Sequence, residues 1–377
     1  MNSIEQIIAG FEELSKDPGK AVAAAIKKTG KKAVGCFPYY TPEEIIYAAG
    51  MLPVGLWGGQ TEIKAADKYL QSFCCSIMRA NVEFGMKGTY DMLSAVIIPT
   101  YCDTLKCICE NWKSAVPNIY LIPMVYPQNI KIEAGITYMM DEFKRVQSEL
   151  EKVSGKTITE QDLLDSIAIY ERYRSTMQEF VKIVNLYPNT LNAKVRHFII
   201  KAAYFSDKMI YTDKLAELIA ELRKLPAEKF DGLKVVITGI LAEPDVLLDS
   251  FVENNIIFAA DDLAHESRQF RTLIGCGSSA IEKLARRVAK QSCSLLYDEK
   301  KNRGQLLIDL VRENNADGVV ISMMKVCDPE EFDYPIFKKE LEAAKIPMLY
   351  LEIEQQMDAA EQIRTRIQSF AEMMVKH

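Results

Sequence analysis

Two stretches of the chain carry the same order of apolar and polar positions. "KAVGCFPYYTPEEIIYAAGMLPVGLWGG" (Lys32 to Gly59) opens with a short β-branched run, passes through a loop, and resumes with helical spacing before a second apolar run. "KVVITGILAEPDVLLDSFVENNIIFAADD" (Lys234 to Asp262) repeats that order. Each therefore predicts strand, loop, helix and second strand. In both, a proline (Pro42 or Pro244) introduces acidic residues at the helix start, where carboxylates meet the positive end of the helix dipole.

Each half later supplies another short apolar run, "SAVIIPTYCD" (Ser94 to Asp103) and "DGVVISMMKVCD" (Asp317 to Asp328). Unbroken apolar runs that alternate with helical patterns predict parallel sheets covered on both faces. In both halves a Cys-Asp pair follows the run directly. Open α/β sheets bind their ligands at that carboxyl edge.

The middle differs. "DEFKRVQSELEKVSG" (Asp141 to Gly155) has helical spacing and a glycine stop. "TEQDLLDSIAIYERYRSTMQEFVKIVNL" (Thr159 to Leu186) opens with a Thr159-x-x-Asp162 cap. "DKLAELIAELRKL" (Asp213 to Leu225) adds another helix. The expected fold class is α/β: two Rossmann- or flavodoxin-like lobes with parallel sheets, residues 1–140 and 226–377, and a helical insert, residues 141–225.

Composition narrows the function. The chain has 377 residues, 49% hydrophobic and 26% charged, which suits packed globular domains. A net charge of -6 gives no overall field toward nucleic acid or anionic membrane, so neither is expected as a partner. Glu5, Glu12 and Glu13 interrupt the start where a secretory signal has an unbroken apolar core. The longest uncharged stretch, Ile45 to Gly59, is broken by Gly50 and Pro53 and falls short of the ~20 residues of a membrane span. The expected location is the cytoplasm, where nine cysteines are not a disulfide framework.

That leaves packing or metal ligation. A lone cysteine is usually a small buried hydrophobe, and this reading suits Cys36, Cys276 and Cys293. Cys107 and Cys109 form a C-x-C pair on a predicted helix, pointing to different faces. Cys102 and Cys327 occupy equivalent positions after strands of the two lobes, so they are candidates to face each other across a cleft. Cys75, in "CCSIMR", has Ser76 and Arg79 nearby as donors to a sulfide or thiolate. Cys74 is nearly as good a candidate. Three thiolates from distant segments suit zinc with an open position, or a [4Fe–4S] cube with one iron not ligated by cysteine. The closely spaced cysteines of a ferredoxin are absent.

Four segments in order, "PYYTPEEIIYAAGMLPVGLWGG", "YLQSFCCSIMRA", "IIPTYCDTLK" and "VCDPEEFDYP", resemble the smaller, β subunit of the 2-hydroxyacyl-CoA dehydratase family, to which the benzoyl-CoA reductase subunits are related. The likeness runs over nearly the whole chain. It implies a [4Fe–4S] cluster in the cleft between the lobes, with ligands falling on Cys75, Cys102 and Cys327; Cys74 leaves the first ligand ambiguous by one residue. It implies a permanent heterodimer with a larger α subunit that carries a second [4Fe–4S] cluster and faces the 2-hydroxyacyl-CoA substrate. A separate ATP-dependent iron–sulfur activator is the implied electron source. The implied reaction adds one electron to the thioester carbonyl. The ketyl radical anion expels the α-hydroxyl, the resulting radical loses its β-proton, and the electron is recovered. No catalytic side chain is singled out in this subunit.

Other motifs carry less. His265 follows a predicted strand, where a hydrogen-bonded structural role outweighs that of a general base. Arg268 and Arg271 suit either CoA phosphates or helix-end ion pairs. Glu43 and Glu44 read as first-turn residues, Gly275 to Gly277 as a turn, and the pair Tyr39-Tyr40 as core or cleft lining. The competing functions are a cluster-bearing electron-transfer protein and a two-lobed binding protein whose cysteines only pack.

Overall fold

The computed structural model describes residues 3–38, 40–291, 299–357 and 360–375. The two matched halves each form a four-stranded parallel sheet. The first contains β1 (Ala33–Cys36), β2 (Leu52–Gly55), β3 (Leu93–Pro99) and β4 (Tyr120–Met124), in the order β2-β1-β3-β4. The second contains β5 (Leu233–Gly239), β6 (Ile256–Leu263), β7 (Gly318–Met324) and β8 (Met348–Ile353), in the order β6-β5-β7-β8. All neighbours are parallel. The α/β class expected from the sequence is the class found.

The burial of the strands explains the pattern that announced them. Every residue of β1 and β7 is buried, as helices on both faces require. The edge strands β4 and β8 keep exposed positions. Pro53 and Pro123 lie on the edge strands β2 and β4, where a missing N–H disrupts the ladder least. Neither β4 nor β8 stands out in the sequence, because Pro123 and Glu352 break their apolar runs.

The helices Glu43–Ala48 and Asp245–Glu253 start directly after Pro42 and Pro244, as expected. Between the sheets run Glu133–Ser154, Glu160–Ile183, Ala193–Ala202 and Lys208–Leu222. Gly155 ends the first of these at φ 77°, a left-handed conformation that suits glycine. Thr159 and Asp162 close the second with a reciprocal capping box. The N-terminal helix Ser3–Lys16 sets Ile4, Ile7 and Phe11 against Tyr170, Tyr173 and Leu215 of this central group. No helix among the described residues is long and apolar enough to cross a membrane.

Strand order fixes where ligands can sit. In both sheets the chain runs outward from the first strand to the second, then returns past the first to the third. Adjacent connections therefore leave on opposite sides between β1 and β3, and between β5 and β7. A crevice opens at the carboxyl end of such a switch point.

Gly239, the last residue of β5, lies at that point with φ 142°, and a Cβ there would meet the Ser322 carbonyl oxygen of β7 at 2.1 Å. Gly239→Ala is expected to lower stability by about 2 kcal/mol or more through backbone strain. Chemical denaturation followed by circular dichroism measures it, and an unchanged midpoint contradicts the assigned contact.

Candidate functional site

Cys75, Cys102 and Cys327 each occupy the N-cap position of a helix. They precede Ser76–Met86, Asp103–Ala115 and Asp328–Ala343 respectively. Two of these helices start just past β3 and β7, at the switch-point crevices of the two lobes. An N-cap side chain sits where unpaired backbone N–H groups and the helix dipole favour negative charge.

The electrostatics of the three thiols show that they converge. Burial is the largest effect on each and raises its pKa, pushing Cys75 up to about 12. The backbone N–H of Met78 works against burial at Cys75, those of Leu105 and Thr104 at Cys102, and that of Glu330 at Cys327. Cys102 raises Cys75 further, and both Cys75 and Cys102 raise Cys327. Each sulfur thus lies within electrostatic reach of the others. Together they form a half-buried group on the margin of the main core.

Cys74 is the more buried neighbour, and its charge also raises the Cys75 thiol. Burial raises its thiol, the Thr104 side chain and the Gln71 backbone lower it, and the Cys107 thiol raises it further. Cys36 and Cys109 are buried in the core, and Cys107 and Cys276 are exposed. Cys107 and Cys109 therefore do face opposite sides of their helix. Cys293 and Tyr39 lie outside the described residues, while Tyr40 packs edge-on to Tyr101 with centroids 6.3 Å apart.

Two sets of contacts hold the thiols in place. Ser76 follows Cys75, and its Oγ donates to Met324 Sδ at 3.2 Å and accepts from the Gln355 backbone N–H at 3.2 Å. The first-lobe helix is thereby tied to the end of β7. Gln355 extends the tie, donating to the Trp57 carbonyl at 2.9 Å and accepting from the Gly59 N–H at 3.0 Å. Ser76 thus spends its hydroxyl on the second lobe rather than on a cysteine thiol.

The second set lies behind Cys327. Glu330, in the first turn of its helix, is buried and accepts from Arg268 at 3.0 Å and Arg303 at 2.5 Å. Both arginines also bind Asp262, at 2.9 Å and 3.0 Å, and Arg303 reaches Thr238 of β5 at 2.9 Å. Arg271 joins through Asp262 at 2.8 Å. Of the two roles open to Arg268 and Arg271, the structure gives them the ion pairs. Burial opposes charge on Asp262, but Arg268, Arg271 and Arg303 hold it far below the usual carboxylate range. Val326, just before Cys327, has φ 54°, a strained conformation for a β-branched residue.

His265 is buried and neutral: burial and the neighbouring His197 push its pKa down to about 3. It packs at 4.8 Å from both Trp57 and Tyr204, which fits a structural role. Glu43 and Glu44 are first-turn residues, with Glu44 buried against Arg174.

The donor set suits an anionic, sulfur-rich group. Three soft ligands come from three helix starts, and Arg79, one turn after Cys75, has a buried Nε that meets no acceptor among the described residues. Its Nη2 is held by Asp67 at 2.6 Å.

Replacing Arg268 with Leu should destabilise the protein by about 3 kcal/mol or more, since Asp262 and Glu330 lose a buried partner. Thermal and urea denaturation give the value; a loss under about 1 kcal/mol would mean that the network is solvated.

Comparison with known proteins gives these features a family. The model of the 2-hydroxyglutaryl-CoA dehydratase D-component family matches residues 38–374. The (R)-phenyllactyl-CoA dehydratase beta subunit of Clostridium sporogenes is 41% identical over 374 residues, covering 99% of this chain and 100% of that protein. The beta chain of lactoyl-CoA dehydratase from Anaerotignum propionicum is 43% identical over 377 residues, with the same coverage. One of the benzoyl-CoA reductase subunits of Thauera aromatica is 27% identical over 379 residues, covering 98% of each chain. Matched from end to end by such relatives, this chain belongs to the 2-hydroxyacyl-CoA dehydratase family, among its β subunits.

Proposed function

We propose that this chain is the iron–sulfur β subunit of a cytoplasmic 2-hydroxyacyl-CoA dehydratase. The complex is a hydro-lyase that converts an (R)-2-hydroxyacyl-CoA to the (E)-2-enoyl-CoA by the ketyl-radical route. Cys75, Cys102 and Cys327 hold a [4Fe–4S] cluster. The larger subunit holds a second cluster and meets the substrate, and an ATP-dependent iron–sulfur activator delivers the first electron. The observation that carries this reading is the convergence of three cysteine N-caps in a chain with full-length likeness to dehydratase subunits.

Bound at these thiols, the cluster would supply one electron at low potential. The chain's own residues set the conditions. Burial excludes water, and the backbone N–H groups of three helix starts offset the added negative charge, which bears on the potential. The thiols must lose their protons to bind. Burial opposes that loss, so loading releases protons and is favoured by higher pH. The bonds from Ser76 to Met324 and Gln355, and the ion network at Glu330, keep the ligands from separating.

A second reading, membership in a benzoyl-CoA-reductase-type enzyme, draws on the 27% identity with that relative. The 41% and 43% identities favour the dehydratase.

Anaerobic iron and acid-labile sulfide analysis tests the site. Alanine at Cys75, Cys102 or Cys327 should remove most of the iron, because water replaces a charged soft ligand poorly. Alanine at Cys36 or Cys109 should keep the iron and cost about 1 kcal/mol of packing. Cys74→Ala is the control for the adjacent residue: iron lost there but kept in Cys75→Ala moves the first ligand by one position. Full iron in all three ligand variants, or zinc in the native chain, rejects the cluster.

Assayed with substrate, activator and ATP, the purified chain alone should give no steady enoyl-CoA formation. Turnover without a second subunit would overturn the division of labour.

A further inference from the structure

The structure holds a cavity of about 480 Å³ past the carboxyl ends of β2 and β6. That volume lies within the usual range of small-molecule sites. Its walls are apolar and aromatic, with Val22, Leu56, Trp57, Phe84, Phe198 and Phe205. Its polar end is made by His197, Lys201, Glu243, His265 and Gln355. Gln355 separates it from the cysteines: its backbone N–H binds Ser76, and its side-chain nitrogen binds Glu243 at 3.0 Å.

The charges at that end balance one another. Lys201 is paired with Glu243. His197 faces Glu243 at 3.3 Å through Nε2 and Glu266 at 3.1 Å through Nδ1. Burial disfavours the imidazolium, but those two carboxylates hold its pKa above the ordinary value. Behind it Arg196 is bound to both Glu266 and Asp261. Three cations thus meet three carboxylates, all but the Lys201–Glu243 pair deeply buried. A further full charge at this end would have no counter-charge and would bear the desolvation penalty alone.

One polar group is left over. His265 lines the cavity as a neutral imidazole, and neither of its ring nitrogens has a hydrogen-bond partner among the described residues. A buried polar atom without a partner is uncommon in a folded protein.

We propose that this cavity binds a small uncharged amphiphile, an aromatic or branched apolar body with one carbonyl or hydroxyl head, the body against Trp57 and Phe84 and the head at the His265 end. Balanced charges select against carboxylates and amines. A carbonyl or hydroxyl dipole needs no counter-ion and uses hydrogen-bonding capacity that the protein leaves open. The proposal does not rest on the cysteines holding iron.

Isothermal titration calorimetry on the full-length chain tests this with a shape-matched pair of probes, 3-phenylpropionamide and 3-phenylpropionate. The amide should bind saturably with a Kd below about 1 mM, and the carboxylate at least about tenfold more weakly for want of a counter-charge. Val22→Phe narrows the cavity and should weaken the amide by about tenfold or more. His265→Phe removes the polar end and should do the same, whereas His265→Asn should retain most of the affinity. Melting curves accompany each variant, and if Val22→Phe does not fold, the His265 pair decides. No amide binding to the native chain at about 10 mM, equal affinity for both probes, or amide affinity unchanged in every folded variant overturns the proposal. The titration does not read iron, so its failure and that of the cluster assignment are told apart.

Discussion

A strand buried on both faces can present chemistry to a ligand only where it ends, and in a parallel sheet all strands end on one side. The thiol site depends on this constraint. β3 and β7 are too deeply enclosed to offer side chains along their length, so Cys102 and Cys327 stand just beyond their carboxyl ends, each at the start of a helix. Because both sheets share one strand order, the same switch point recurs in each lobe. Two separate thiol positions become one thiol group once the lobes pack together.

Bringing thiols together in this way is unfavourable without a ligand. Burial raises all three, Cys102 raises Cys75, and both raise Cys327. Helix N-termini oppose this with fixed partial positive charge, without adding a mobile cation. The formal charges nearby are paired among themselves: Glu330 and Asp262 are held between Arg268 and Arg303, a balance that braces the Cys327 helix without a large local field. Strain at Val326 shows that the turn into Cys327 is imposed by its surroundings rather than chosen by the local sequence.

Much of this was legible in the sequence. The inner strands were readable because β-branched runs between proline and helical segments have few alternatives, and the equivalent positions of Cys102 and Cys327 followed from the repeated order. The Thr159–Asp162 cap was readable because its chemistry is local. β4 and β8 were not, since edge strands tolerate a proline and charges that erase the apolar signal. The packing of Phe11 on Tyr211 across the chain, with ring centroids 5.3 Å apart, is a long-range contact that no local pattern encodes. The buried carboxylates were equally hidden. Asp262 and Glu330 look like surface residues until the fold places Arg268 and Arg303 beside both of them. Cys74 and Cys75 are adjacent, and spacing alone does not give the side-chain directions that would tell them apart.

The contact between Ser76 and Met324 has a consequence for how the molecule would respond to losing its bound group. The Cys75 helix and the end of β7 share one small hydroxyl hinge, so the seam between lobes runs through the thiol site. Under the proposed function, binding free energy at the thiols is also cohesion between lobes, by ordinary linkage. Oxidative loss of the metal would then register as a loosened seam, and chemical damage at one point would become a change of shape that a partner surface can sense.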